Sequence, residues 1–281
     1  MTPDYSPKGT GRLIDEAIAV YRAEFRTLAV PAAYVLLPGS LLFGLAQGWY
    51  SQVAIRSAAG GSDPFAVLAA LAGPYSLMLG VASMQALVSL YYFACVLAAS
   101  PELLARRPVA PGAFLKGGAG RFLWLVAISF VASFLGGVGF LFLVVPGVLV
   151  YVYLSMAEPV AGVEGAPLDR ALGRSFALVR GNVWRTIGFF IAIGVIVFSL
   201  ESALTSIATV PVAAKTFVGG VSGSPLPSLG WQVFAGLVQG VARALTLPLT
   251  YVAWLLYYLD LRARREGMDL LARAQALAAA A

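Results

Sequence analysis

Long apolar runs alternate with short charged stretches along this chain, and that alternation predicts its elements. Residues 28–50 carry no charge, and neither do residues 75–100. A short apolar piece, 65–73, precedes the second run, and Pro74 is expected to separate the two. Residues 122–157 then run without a single charge. As one helix they would measure about 54 Å at 1.5 Å per residue, too long for one crossing of about 30 Å of hydrocarbon. The sequence "VVPGV" (144–148) sits where a tight reversal is needed, so two spans are expected, at about 122–142 and 145–163. A fifth follows at 186–209. The sixth falls within 229–261, at about 240–261, with the earlier part expected as a shallow or re-entrant helix.

Composition agrees with that pattern. Hydrophobic residues make up 60% of the 281 positions and charged residues only 11%, less than half the roughly 25% of a soluble domain. A mean hydropathy of +0.85 leaves too little polar surface to cover a water-soluble globule of this size. The expected fold class is therefore all-α: a polytopic membrane bundle of six transmembrane helices with interfacial amphipathic helices, forming one integral membrane domain over 1–281.

The net charge of +6 is explained by where the basic residues lie. Segments 1–27, 101–121, 164–185 and 262–281 hold four each, whereas the opposite segments hold only Arg56 and Lys215, and Arg243 lies inside a span. Basic residues gather on the cytoplasmic side. Both termini are thus expected in the cytoplasm of a bacterial inner-membrane protein, with no cleavable leader and with 262–281 as a cytoplasmic tail helix. Because the arginines follow topology, no nucleic-acid partner is expected.

Two odd-numbered spans are preceded by stretches with helical spacing. In "RLIDEAIAVYRAEFRTL" (12–28), Leu13, Ala17, Ile18, Tyr21, Phe25 and Leu28 share one face. In "PLDRALGRSFALVRGNVWRTI" (167–187), Leu168, Leu172, Phe176, Val179 and Val183 do the same, with Arg170, Arg174 and Arg185 opposite. A weaker version, "FLKGGAGRFLWL" (114–125), precedes span three. Either three repeated units of helix plus hairpin or unrelated basic helices at the inner surface would give this pattern. On both readings Arg22, Arg26, Arg121, Arg170, Arg174, Arg185, Arg262, Arg264 and Arg265 are expected to face anionic lipid headgroups.

The motifs "LIDEAIAVYRAEF", "RALGRSFALVRGNVWRTIG" and "LLYYLDLRARREGMDL", in that order and separated by hydrophobic hairpins, resemble the glycerophosphoryl diester phosphodiesterase membrane-domain family. The resemblance covers nearly the whole chain and implies a six-span bacterial membrane fold. In some members this part is fused to a soluble barrel that performs the chemistry with histidines. This chain has no histidine, so the resemblance is taken to carry the fold and not the enzymatic activity.

Candidate chemistry is sparse. With no histidine and only one cysteine, Cys95 in an apolar run, imidazole relays, histidine triads, internal disulfides and most zinc sites are excluded. No cofactor and no metal is expected. Charges inside spans are costly unless paired. Glu201 and Arg243 fall at similar depth on successive spans, where an ion pair is expected. Glu158, beside helix-disrupting Pro159, is read as a hydrogen-bond acceptor at a broken helix or as a side chain reaching the interface. Asp260 is spaced to meet Arg264 at i, i+4 as a packing and stop element. Gln47 and Gln85 are expected to bridge helices, and glycines such as those of "GLVQG" (236–240) to allow close approach. A non-catalytic scaffold, complex subunit or lipid-organising protein is expected, with another membrane protein or a second copy of the chain as a further possible partner. The alternative is a small transporter with a polar path near Glu201, Arg243 and Glu158.

Overall fold

A computed structural model of the chain describes residues 8–59, 63–105, 107, 109–223 and 228–267. The described residues are α-helical and contain no strand. The helices are α1 (Thr10–Ala23), α2 (Phe25–Ala59), α3 (Pro64–Ala98), α4 (Ser100–Leu104), α5 (Pro111–Phe142), α6 (Val144–Leu154), α7 (Ala157–Glu164), α8 (Leu168–Val179), α9 (Val183–Gly223) and α10 (Leu229–Glu266). Among the described residues six stretches are long and apolar enough to cross a membrane: α2, α3, α5, the α6–α7 pair, α9 and α10. The expected tail helix enters this picture only as far as Glu266, since 268–281 lie outside the described residues.

Several boundaries differ from the sequence reading, for one common reason. In hydrocarbon every backbone amide needs a partner, so a helix continues through residues that would stop it in water. Pro74 therefore lies inside an unbroken α3, and α10 is one helix from Leu229 with Pro248 inside it, not a re-entrant piece followed by a span. The stretch 114–125 is likewise continuous with α5, while α1 and α8 stand as separate helices.

The reversal near "VVPGV" occurs one residue earlier, at Leu143, whose backbone is extended (φ −169, ψ 156). Glycines on both arms permit it. A Cβ on Gly139 would stand 2.9 Å from the Cα of Gly147, closer than real side chains come. Pro146 sits in the first turn of α6, where its missing N–H costs no hydrogen bond.

The α6–α7 break, at Ser155–Met156, has a different origin. Pro159 lacks the N–H that would reach the carbonyl of Ser155, four residues back. That carbonyl instead accepts from the Trp254 indole at 3.0 Å. The Ser175 hydroxyl on α8 accepts from the Met156 N–H at 3.0 Å and donates to the Tyr153 carbonyl at 2.7 Å. Side chains from α8 and α10 thus supply what the interrupted helix lost.

The chain packs as two compact units. Unit 1 comprises 1–28, 90–196 and 248–281. Its core holds Tyr92, Phe93 and Cys95 of α3, Phe114 and Ile128 of α5, Val179 of α8, Phe189 of α9, and Tyr257, Tyr258 and Leu261 of α10. Stacked rings tie these together: Phe93 on Tyr251 at 4.4 Å, Phe93 on Trp254 at 5.0 Å and Phe189 on Tyr257 at 4.2 Å. In this unit α8 buries Ala171, Ser175, Leu178 and Val179, while Phe176 on the expected apolar stripe stays 45% exposed. The face turned inward is the one whose small residues let Ser175 reach the broken helix.

Unit 2 comprises Ala29–Ser89 and Val197–Leu247. Its segments of α2 and α10 cross antiparallel at glycine: a Cβ on Gly44 would lie 2.9 Å from the Cα of Gly236, and one on Gly240 3.0 Å from the Cβ of Ser40. Such approach is the packing mode open to helices in lipid, where no hydrophobic force drives association. The outward faces of α3 and α9 are apolar, with Leu68, Leu79, Phe198 and Ile207 all exposed.

Candidate functional site

Among the described residues, buried charged side chains and their partners gather in three places, two in unit 1 and one in unit 2. The first is an ionic network around the end of α10. The Asp260 carboxylate is 2% exposed and meets Arg185 Nη1 of α9 at 2.5 Å and Arg264 Nε at 2.9 Å. The same two arginines donate to the Lys8 carbonyl, at 2.6 and 2.8 Å, and the Lys8 N–H donates to Asp260 Oδ1 at 2.7 Å. A backbone unit just ahead of α1 is therefore held on both its donor and its acceptor. The i, i+4 pairing of Asp260 with Arg264 follows the sequence expectation; Arg185 and Lys8, more than seventy residues away in the chain, enter only through the fold.

Beside it, Glu164 at the end of α7 is shared by Arg174 Nε at 2.5 Å and Arg262 Nε at 3.5 Å, and accepts a hydrogen bond from the Tyr258 hydroxyl. Glu266 completes the group, bonding Arg174 and, at 3.2 Å, Arg262. Two carboxylates and two guanidiniums balance. Burial alone would lower the pKa of Arg174, but Glu164 and Glu266 outweigh it and hold it above the ordinary arginine value. Arg185 lies 5.6 Å over the Tyr257 ring and Arg262 5.8 Å over the Tyr258 ring, adding cation–π attraction.

Four of the arginines expected to face lipid have partners in the same chain. Arg174, Arg185, Arg262 and Arg264 are ion-paired to carboxylates of the same chain. Glu164 and Glu266 were not singled out in the sequence. Glu266 could have been, from its i, i+4 spacing to Arg262; Glu164 carries no local signal. Arg22, Arg26, Arg121, Arg170 and Arg265 are exposed and form no ion pair among the described residues. Exposed apolar side chains adjoin several of them in the chain: Phe25 at 43%, Leu123 at 78% and Trp124 at 44%.

The second place is Glu158, in the first turn of α7, which accepts a hydrogen bond from Ser129 of α5. A cavity of about 30 Å³ lined by Ser133, Tyr151, Ser155 and Trp254 adjoins it. Glu158 thus joins α5 to the broken helix. The break itself is answered by Ser175 and Trp254, neither of which the sequence reading named.

The third place lies in unit 2. Glu201 and Arg243 do not form the expected ion pair. Glu201 accepts from Thr246 Oγ1 at 2.6 Å, and Arg243 Nη1 donates to Gln85 Oε1 at 2.9 Å. Gln85 in turn donates to Ser40 Oγ at 3.0 Å. Thr246 and Arg243 are three residues apart on α10, on one side of the helix but far enough apart to take separate partners. Each charge is distributed over neutral groups from neighbouring helices. Gln85 is a bridge, as expected; Gln47 bonds no other side chain among the described residues.

Among the described residues no three acidic or thiol side chains converge as a metal site would require. Six helices of this length and apolarity among the described residues define a multi-pass integral membrane protein. Comparison with family models, with curated proteins and with solved structures finds no match to this chain.

Proposed function

We propose that this protein is a non-catalytic integral protein of the bacterial inner membrane that organises lipid or a partner complex, with both termini cytoplasmic and a membrane domain of the glycerophosphoryl diester phosphodiesterase membrane-domain type. The observation that carries the reading is the division of the arginines in unit 1. Four are consumed by Asp260, Glu164 and Glu266 and fix α8, α9 and α10 to one another. Five others, Arg22, Arg26, Arg121, Arg170 and Arg265, stay exposed. Exposed cations next to aromatic and aliphatic side chains suit the headgroup layer, where each basic residue contributes about 1 kcal/mol of attraction to anionic lipid. Transport would call on charges facing a path, and Glu201 and Arg243 are instead bonded to Thr246 and Gln85.

The test is lipid retention. Chain purified gently from membranes is expected to carry phosphatidylglycerol or cardiolipin, seen by native mass spectrometry. Replacing these five arginines with glutamine should remove most of it at unchanged melting temperature. Equal retention by that variant would refute the reading.

A further inference from the structure

Unit 2 holds a cavity of about 490 Å³, separate from the Glu201 and Arg243 bonds, whose polar lining is Gln47, Ser51, Thr205, Thr209, Gln232 and Gln239. Among the described residues no charged side chain lines it. The hydroxyl protons of this lining are already committed: Ser51 donates to the Gly48 carbonyl at 2.8 Å, Thr205 to the Glu201 carbonyl at 2.8 Å and Thr209 to the Thr205 carbonyl at 3.2 Å. Their oxygens are therefore left to act as acceptors. The side-chain amides of Gln47 and Gln239 form no hydrogen bond among the described residues. Gln239 is half-buried and Gln47 exposed, and where such groups face hydrocarbon they are costly to leave unmet, so the cavity favours a polar occupant.

The two glutamines are matched by sequence and by placement. They occupy the same position in "GLAQG" (44–48) and "GLVQG" (236–240). Those two segments cross antiparallel with reciprocal contacts: Gly44 against Gly236, Gly48 against Gln232, and Gly240 against Ser40. A local two-fold relation of this kind brings both amides to one cavity. The wall also includes Trp231, Ala208 and Ala235, which offer an apolar face.

These features select a ligand class. Among the described lining residues an anion finds no cation, and a bare cation finds no carboxylate in a space far larger than an ion. An apolar ligand would leave both amides unpaired. What remains is a neutral group rich in hydroxyls, with C–H faces to lie against the indole. We propose that this cavity binds an uncharged polyhydroxyl group, a sugar or glycerol moiety, borne on a lipid or free in solution.

The experiment uses the full chain in phosphatidylcholine nanodiscs, free of sugar-based detergent, with tryptophan fluorescence as readout. Probes are methyl glucoside and glycerol for the free form, and glucosyl diacylglycerol for the lipid-borne form. Saturable binding of a free probe, or of the glycolipid alone, supports the site and identifies the source. In the Gln47→Leu/Gln239→Leu variant the Kd should rise roughly tenfold or more, as expected for two lost hydrogen bonds, with the melting temperature unchanged. Should that variant lose its native melting transition, Thr209→Val, at an exposed position, is to weaken binding several-fold in its place. No saturable binding of any probe, or undiminished binding by the folded variants, overturns the proposal.

Discussion

Asp260 and Arg185 meet at 2.5 Å although 75 residues separate them, and the aspartate side chain is 2% exposed. Carboxylate and guanidinium are both needed there, because either alone would be a charge held away from water. Removing one partner of a buried pair costs about 3–5 kcal/mol, most of it from the charge left behind. Asp260→Ala should therefore lower the detergent melting temperature by far more than Arg264→Gln, whose i, i+4 contact is worth about 0.3–0.5 kcal/mol. A thermal unfolding series in one detergent checks the ranking.

Gly44 and Gly236 permit a second comparison. Gly44→Ala would press a methyl against the backbone of α10 at 2.9 Å, and overpacking of this sort costs about 1–3 kcal/mol. Gly80 on α3 has nothing within 4 Å of its would-be Cβ. Gly80→Ala should be neutral, or stabilising by up to about 1 kcal/mol from helix propensity. Equal effects at both sites would contradict the glycine crossing.

At the α6–α7 break, Ser175→Ala should cost about 1–3 kcal/mol by leaving the Met156 N–H and the Tyr153 carbonyl unmet. Trp254→Phe should cost a similar amount through the Ser155 carbonyl. Pro159→Ala restores the N–H that this carbonyl lacks, so the Trp254→Phe penalty should shrink in that background. A double-mutant cycle reads the coupling, and strict additivity would count against the mechanism.

Tyr21 gives a pH dependence with a defined sign. Its hydroxyl is buried without a partner among the described residues, and burial pushes its pKa from near 10 up to about 12. The folded chain then holds this proton over a range in which the unfolded chain has lost it. The contribution is complete below about pH 10 and falls away as pH rises toward 12. Tyr21→Phe should flatten part of the alkaline loss of stability, and at neutral pH should be neutral or stabilising, because an unmet buried hydroxyl is removed. Stability against pH for both proteins decides it.

In unit 2, Arg243→Met and Glu201→Gln should act additively on melting temperature, since the two side chains take separate partners. Arg243→Met and Gln85→Leu should couple by about 0.5–3 kcal/mol, as residues in contact do. Coupling of the first pair instead would restore the ion pair that the sequence suggested.

Much of the membrane fold was legible because it depends on one-dimensional quantities. The 36 uncharged residues from 122 to 157 could not cross once, and α5 ends at Phe142 within a residue of where the proline-glycine reversal was expected. Asp260 with Arg264 was legible because i, i+4 spacing is local geometry. Proline was an uneven signal: Pro74, expected to separate two pieces, sits inside one long helix, while Pro159 breaks a helix four residues upstream through the carbonyl it cannot serve.

By itself the sequence determined the solvent of this chain and the number of its crossings, because apolar length and charge spacing are properties of consecutive residues. Tertiary structure alone decided which arginines are spent on Glu164, Asp260 and Glu266, that Glu201 and Arg243 part company, and that two distant glutamines face one cavity. Those choices depend on a few ångströms between helices remote in the chain, where a carboxylate or an amide bonds whichever partner the packing brings within reach.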